Sequence, residues 1–529
     1  MDENKTNDTA GSSLDNPVTN SEDTAFEIPE KKKKSALPLV AAGVAAACVG
    51  ITAAVTRVAS PETNVKNEIS RCVEDYSSRE TIKSLIFDKE LEDVLVSGDY
   101  TTEGNIKLTE NTSSDKANGL GIGFSNVVAS SKKKISSDIN VNYNGADIVR
   151  IMLTMDENTT RVHIPKLFSE SFSVENQNVL TQLSKSQVFS KYAKEALEET
   201  GDFSIMPFAG IETSSAAYAL KDKVKEYGKA ALQEADSNLT YEKGNKTTAP
   251  DGTQADIYIV TLPAPAAKQA LGGFLTNVRN SEEYANTLNS AADYAFSSKP
   301  DAAAKYGDKE SLIQECNSEF DKLIQSVNDA ETEDIKINVI PLKDGIVFGV
   351  DQPVAGVNVK IDGEYNCEAN VLKINSEFAK DGKEFKFDYD DSINTVEGIV
   401  TENRAFSVGS DGSVSVFTIN SDYDKNDSSL KSNIEMNTGE QAVKLDFEGT
   451  AQKSDKKLEV KADKLSMDNG EVSFVFDGDY TFRERTEDPR EINSPTEYKV
   501  SEIGIMQALG LYNEAKDNLG SIAGMLGLD

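Results

Sequence analysis

Polar and apolar residues alternate along most of this chain, and helical spacing interrupts the alternation in a few blocks. Ile69, Val73, Ile82, Ile86 and Leu91 recur among acidic residues over 63–95, which predicts a leading helix or helical stalk. Alternation then sets in. It predicts strands at Tyr100 to Leu108, Leu120 to Val128, Ile135 to Tyr143, Ile148 to Met155 and Thr160 to Ile164. Asn118-Gly119, Asn144-Gly145 and Asp156-Glu157-Asn158 separate them as turns, so the first block reads as an antiparallel meander. Leu180, Leu183, Val188, Tyr192 and Leu197, then Tyr218, Leu220, Val224, Tyr227 and Leu232, return to helical spacing over 174–235.

Short strands follow at Leu239 to Tyr241 and Ile257 to Leu262, and a further helical stretch from Ala266 to Val327 is broken near Lys299-Pro300. From Ile335 to Phe482 nearly everything alternates. Asp362-Gly363, Asp381-Gly382, Asp411-Gly412 and Asn469-Gly470 read as hairpin turns by composition. Ile503 to Leu526 predicts a closing helix. Helices gathered on one face of antiparallel sheet make an α+β design, with two meanders that suggest two related sheets. The expected divisions are 97–333 for the first meander with its covering helices and 334–529 for the long second meander with the C-terminal helix.

The N-terminal stretch changes this picture. Lys31, Lys32, Lys33 and Lys34 precede 22 residues without a charge, 35–56, and Arg57 follows. About 20 apolar residues suffice for a helix to cross the hydrocarbon layer. The lysines place the N-terminus on the cytoplasmic side and the C-terminal domain outside, as a single-pass signal-anchor. A cleaved signal peptide would have a shorter apolar core near residue 1. Ala45-Ala46-Ala47-Cys48 offers a lipoprotein reading instead, but the apolar run continues past Cys48 to Val55. Residues 1–30 read as a disordered acidic cytoplasmic tail, 31–58 as basic flank and transmembrane helix, and 59–96 as stalk or leading helix. Gly43, Ala46, Ala47, Gly50 and Ala54 give small-residue spacings that would let two such helices pair as a homodimer.

Charge narrows the partners. Net charge is −34, of which −32 falls on residues 61–529. Nucleic acid and anionic lipid surfaces repel such a domain.

Ser97-Gly98-Asp99-Tyr100 opening the strands, and Arg161-Val162-His163-Ile164-Pro165-Lys166 at a strand end, follow a tether and a leading helix. In this arrangement the chain resembles uncharacterised membrane-anchored surface proteins of Gram-positive bacteria. The strand-and-helix order over 95–260 also resembles the lipoprotein-carrier half-barrel, a bent sheet wrapped round helices. That resemblance implies a greasy cleft and no catalytic residue; the long second meander departs from it.

Candidate chemistry is sparse. His163 is the single histidine and precedes Pro165 at a strand end, where a structural role is expected. Ser-x-x-Lys, the spacing of serine acyl-enzymes, occurs at Ser113–Lys116, Ser130–Lys133, Ser131–Lys134, Ser428–Lys431 and Ser454–Lys457, each in a polar turn-like stretch. Asp422, Asp424 and Asn426 repeat at a spacing that can surround Ca²⁺, although Asp427 stands where a calcium loop needs glycine and Asn433 where it needs glutamate. A hairpin turn is the competing reading there. Lys132, Lys133 and Lys134 form a basic tip that suits solvent, a cell-wall polymer or a lipid headgroup. Cys316 and Cys367 are candidates for a disulfide, with Cys72 near the membrane then free or paired between chains; three unpaired thiols are the competing reading.

These features predict a membrane-anchored extracytoplasmic binding or structural domain without enzymatic activity, holding a hydrophobic or lipid ligand between the sheet of 97–170 and the helices of 174–235. An adhesion or assembly scaffold without a cavity, or a hydrolase working through paired carboxylates, are the alternatives.

Overall fold

The computed structural model describes residues 71–525, except 73–74, 77, 114–116, 250–251, 299–304, 355, 381, 411–412 and 440. The acidic tail, the apolar segment 35–56 and the start of the leading helix lie outside the described residues. Among the described residues, no helix is long and apolar enough to cross a membrane.

Two short helices, α1 (Ile82–Ile86) and α2 (Lys89–Ser97), lead into the first meander. Thr81 and Ser84 cap α1 reciprocally. Asp88 Oδ1 accepts from the Glu90 and Leu91 amides at the start of α2, and Gly98, at φ 68°, ends it. The meander comprises β1 (Asp99–Asn111), β2 (Leu120–Ala129), β3 (Lys134–Tyr143), β4 (Ala146–Asp156), β5 (Thr159–His163) and β6 (Ser171–Glu175). Helices α3 (Val179–Leu183), α4 (Ser190–Thr200) and α5 (Ala209–Asp236) follow, then β7 (Thr240–Thr248) and β8 (Gln254–Leu262). Next come α6 (Ala264–Asn280), α7 (Glu282–Ser298) and α8 (Lys309–Asp329).

The second meander holds β9 (Ile335–Leu342), β10 (Gly345–Val354), β11 (Val357–Asn366), β12 (Val371–Lys380), β13 (Lys383–Val396) and β14 (Ile399–Ser410). It continues with β15 (Ser413–Asp424), β16 (Ser429–Asn437), β17 (Ala442–Ser454), β18 (Lys457–Asp468) and β19 (Ser473–Glu484). A short β20 (Glu497–Lys499) and α9 (Ile505–Met525) close the chain.

The α+β design is present, but the two expected sheets are one. All 20 strands of the described residues belong to a single sheet. Hydrogen bonding runs from β7 through β8 to β19 in sequence order, crosses from β19 to β1, and continues to β6. Among the described residues every pairing is antiparallel except that of β20 with β6. The β19–β1 ladder, from Tyr100 opposite Glu484 to Asn111 opposite Phe474, closes the open edge of each meander with the other. Unpaired edges invite foreign strands, so joining the two meanders removes a liability that each would carry alone.

Asp362-Gly363 is a second correction: it lies inside β11, not in a turn. Gly363 stands opposite Phe348, and a Cβ there would sit 2.1 Å from the Phe348 ring. The glycine makes room for an aromatic neighbour in the core.

Residues directly opposite one another on neighbouring strands share a face. Traced through the ladders, the apolar residues of nearly every strand fall on the same face. At β8–β13 that face is a closed core in which Val260, Ile337, Val350, Ile361 and Phe378 meet Ala235 of α5 and Ala266 and Ala270 of α6. The small alanines let the helices approach closely.

Candidate functional site

The leading segment lies on the apolar face and is fixed there by charge as well as packing. Ile82 packs on Ile393, Val400 and Tyr423, while Leu91 and Val94 pack on Leu458 and Phe482. Between these contacts the Arg79 guanidinium stacks over the Tyr76 ring at 3.7 Å and donates to Asp391 at 2.6 Å. Tyr76 donates to the same carboxylate at 3.1 Å, and Arg404, directly opposite on β14, reaches its other oxygen at 3.3 Å. Arg404 also pairs with Glu402, which accepts from the Ile82 amide at 3.1 Å. Tyr365 donates to Asp75 at 2.7 Å.

Burial first, and then the Asp391 carboxylate, push the Tyr76 hydroxyl well above the usual phenol range. Burial and the bond to Asp75 do the same to Tyr365. Burial would lower the Arg404 pKa, but Glu402 and Asp391 outweigh it and raise it. Two carboxylates on one face are the raw material of a carboxylate-dependent hydrolase. Here each is matched by a guanidinium, and the arrangement works as a clamp on the leading segment.

Beyond the clamp the same face is less covered. Tyr389, Phe406, Phe417, Met436 and Val443 stand opposite one another across β13 to β17. Ile419, Ile434, Leu445, Met467 and Phe474 form the next row, across β15 to β19. Phe447, Leu465, Phe476 and Leu108 carry the pattern onto β1. Gly478, Ile106, Ile122 and Val141 extend it to β3. Phe406 and Phe417 rings lie 5.0 Å apart, and Phe124 and Tyr480 rings 6.3 Å apart. Ile106, Ile122, Phe406, Met436, Met467 and Tyr480 remain 37–46% exposed. From β14 to β2 this strip crosses eight strands, roughly 33 Å at the usual strand spacing.

Two pockets among the described residues lie beside the first meander. One, of about 10 Å³, is lined by Ser125, Val127, Ser136, Thr154, Arg490 and Ile492. That holds about one water. The other, about 510 Å³, is an open groove beside Asp138, Asn140, Asp147, Arg150 and Lys166. Neither is lined by a residue of 174–235.

The remaining candidates are placed as follows. Asp422 lies on β15 and accepts from the Thr401 hydroxyl at 2.6 Å. Asp424 accepts from the Asn426 amide at 2.8 Å, which shapes the β15–β16 turn. Among the described residues, no three His, Cys, Asp or Glu side chains gather closely enough to hold a metal ion. His163 Nδ1 is 3.0 Å from the Glu170 carbonyl oxygen and the ring is buried. Lys132, Lys133 and Lys134 pair with Asp488, Glu212 and Glu491, so the basic tip ties α5 and the segment after β19 to the first meander. Lys431 and Lys457 pair with Glu448 and Glu459; Lys116 lies outside the described residues.

Cys316 sits on α8, where burial pushes its thiol up. The Cys367 sulfur instead lies 3.1 Å from that of Cys72, and none of the three is in a disulfide. Sequence spacing held no signal for the Arg79–Asp391 clamp or the exposed strip. Both depend on which strands become neighbours. In comparison with known proteins, the chain matches no protein-family model and no curated sequence.

Proposed function

We propose that this chain is a membrane-anchored, extracytoplasmic binding protein that holds a long apolar ligand, the acyl chain of a lipid, along the exposed strip of its sheet. The observation that carries the reading is the strip itself: rows of Phe, Met, Ile and Tyr, 37–46% exposed at six positions, running across strands from β14 to β2. Large contiguous apolar patches on a folded surface mark ligand grooves or interfaces. A long, narrow patch suits an elongated apolar molecule better than a compact one. Its roughly 33 Å exceeds the length available in one leaflet, half of the ~30 Å hydrocarbon layer. Packed against Val400, Leu458 and Phe482, α1 and α2 form a wall along one side of the strip. Register shifts after Leu108, Glu448 and Ala462 bend the strands locally, which favours a half-barrel around the ligand. The apolar segment 35–56 behind four lysines would keep the domain beside its lipid source.

The test is photocrosslinking in intact membranes. Cells expressing the full chain are fed a diazirine fatty acid, irradiated, and the labelled peptides mapped. Label on peptides of β14–β19 is expected, falling at least several-fold in Phe406→Asp and Met436→Asp. Val414→Asp should leave it unchanged, because Val414 is 50% exposed but on the opposite face of β15 from Phe417. Label confined to 35–56 would end the lipid reading.

One feature favours assembly as the second reading. Ile505, Met506, Leu509, Tyr512 and Leu519 of α9 are all exposed apolar side chains. If Met506→Lys and Leu509→Lys shift the purified protein to a smaller species while lipid labelling is absent, a scaffold is the better description.

A further inference from the structure

Three cysteines lie within the described residues, and two of their sulfurs touch. Cys72 is on the leading helical segment, 2% exposed, within the core that contains Tyr365, Ile346 and Phe348. Cys367 is half-buried in the turn that follows β11. Their Sγ atoms are 3.1 Å apart although 295 positions separate them in sequence. The two segments are held together independently of the sulfurs. Arg71 donates to the Lys343 carbonyl at 3.2 Å and reaches Cys367 Sγ at 3.8 Å. The Cys367 amide donates to the Asp344 carbonyl at 2.7 Å. Three and four residues beyond Cys72 on the leading segment, Asp75 accepts from the Tyr365 hydroxyl and Tyr76 donates to Asp391.

We propose that Cys72 and Cys367 form a disulfide when the protein meets a low-molecular-weight disulfide, and that this bond staples the leading segment to the sheet. The balance is simple. The more accessible Cys367, as thiolate, attacks the small disulfide and releases one small thiolate. Cys72, as thiolate, then attacks the mixed disulfide at the Cys367 sulfur and releases the second. Two protein thiols are oxidised by two electrons, the small disulfide is reduced to two thiols, and the two protons go to the released sulfurs. Little motion is required, because the sulfurs already lie about 1 Å beyond bonding distance. The bond closes a very long loop, the case in which the chain-entropy account expects the largest effect on the unfolded state. Cys316, on α8, takes no part.

The test uses the full chain, treated with oxidised glutathione or with dithiothreitol. Under native conditions the free thiols are alkylated, and the protein is digested without reduction. Expected are a linked pair of peptides carrying Cys72 and Cys367, an alkylated Cys316, and a Tm several degrees higher in the oxidised sample. Cys367→Ser and Cys72→Ala should each abolish both the linked peptide and the Tm shift; Cys316→Ser should keep both. The wild-type peptide map decides the bond even if Cys72→Ala folds poorly. Alkylation of Cys72, Cys316 and Cys367 together after oxidation, or linkage through Cys316, overturns the proposal. A Cys72–Cys367 link without a Tm rise overturns the staple.

Discussion

Arg79 and Asp391 meet at 2.6 Å with only 6% and 1% of their side chains exposed, so a full charge pair is sealed beneath the leading segment. A buried pair is costly to break, because the survivor stays charged and unpaired. Arg79→Leu should destabilise the fold by about 3–5 kcal/mol, read as a lower urea midpoint at unchanged m-value. Combining it with Asp391→Leu should restore part of the loss. Arg404 keeps Glu402 as a partner in that double variant.

Acid should loosen the same segment. Burial works against ionisation of Asp88, but the Lys453 ammonium and the Leu91 and Glu90 amides outweigh it and hold its carboxyl below the usual range. The Lys83 hydrogen bond does the same for Glu92, against its burial. A carboxyl depressed in the folded state stabilises above its unfolded pKa, and that stability is lost as pH falls through the folded value. Urea midpoints should therefore hold above about pH 5 and drop below about pH 4. Asp88→Ala should remove the α2 cap at neutral pH, about 1 kcal/mol, and show a shallower acid decline. Equal acid slopes in both proteins would contradict the assignment.

Closure of the sheet can be tested at Gly478. A Cβ at this position would stand 2.1 Å from the Asn105 carbonyl oxygen, which is backbone of the partner strand β1 and cannot rotate away. Gly478→Ala should cost about 1–3 kcal/mol. Gly228, inside α5, meets nothing within 4 Å, so Gly228→Ala should stabilise by about 0.5–1 kcal/mol through helix propensity. Thermal unfolding of the pair gives opposite signs if β19 and β1 are neighbours as described.

What the sequence determined by itself was the kind of each element. Alternation at Tyr100 to Leu108 or Val443 to Phe447 is a local signal of period two, and Tyr218 to Leu232 carries the local period of a helix. The turn glycines at 119, 145 and 470 are also legible, because each adopts a positive φ. Partnership is another matter. Alternating apolar residues are interchangeable as partners, so nothing in β19 announces that it pairs with β1 instead of ending a second sheet. Asp362-Gly363 has the composition of a turn, and only the Phe348 ring across the ladder explains a glycine in mid-strand. The Cys72–Cys367 contact and the Arg79–Asp391 pair join residues 295 and 312 positions apart. The exposed strip exists because eight strands from the two meanders lie side by side, with α1 and α2 resting on one end of their shared face. Local periodicity fixes which way a side chain points along its own strand; the order in which strands assemble decides what it meets there.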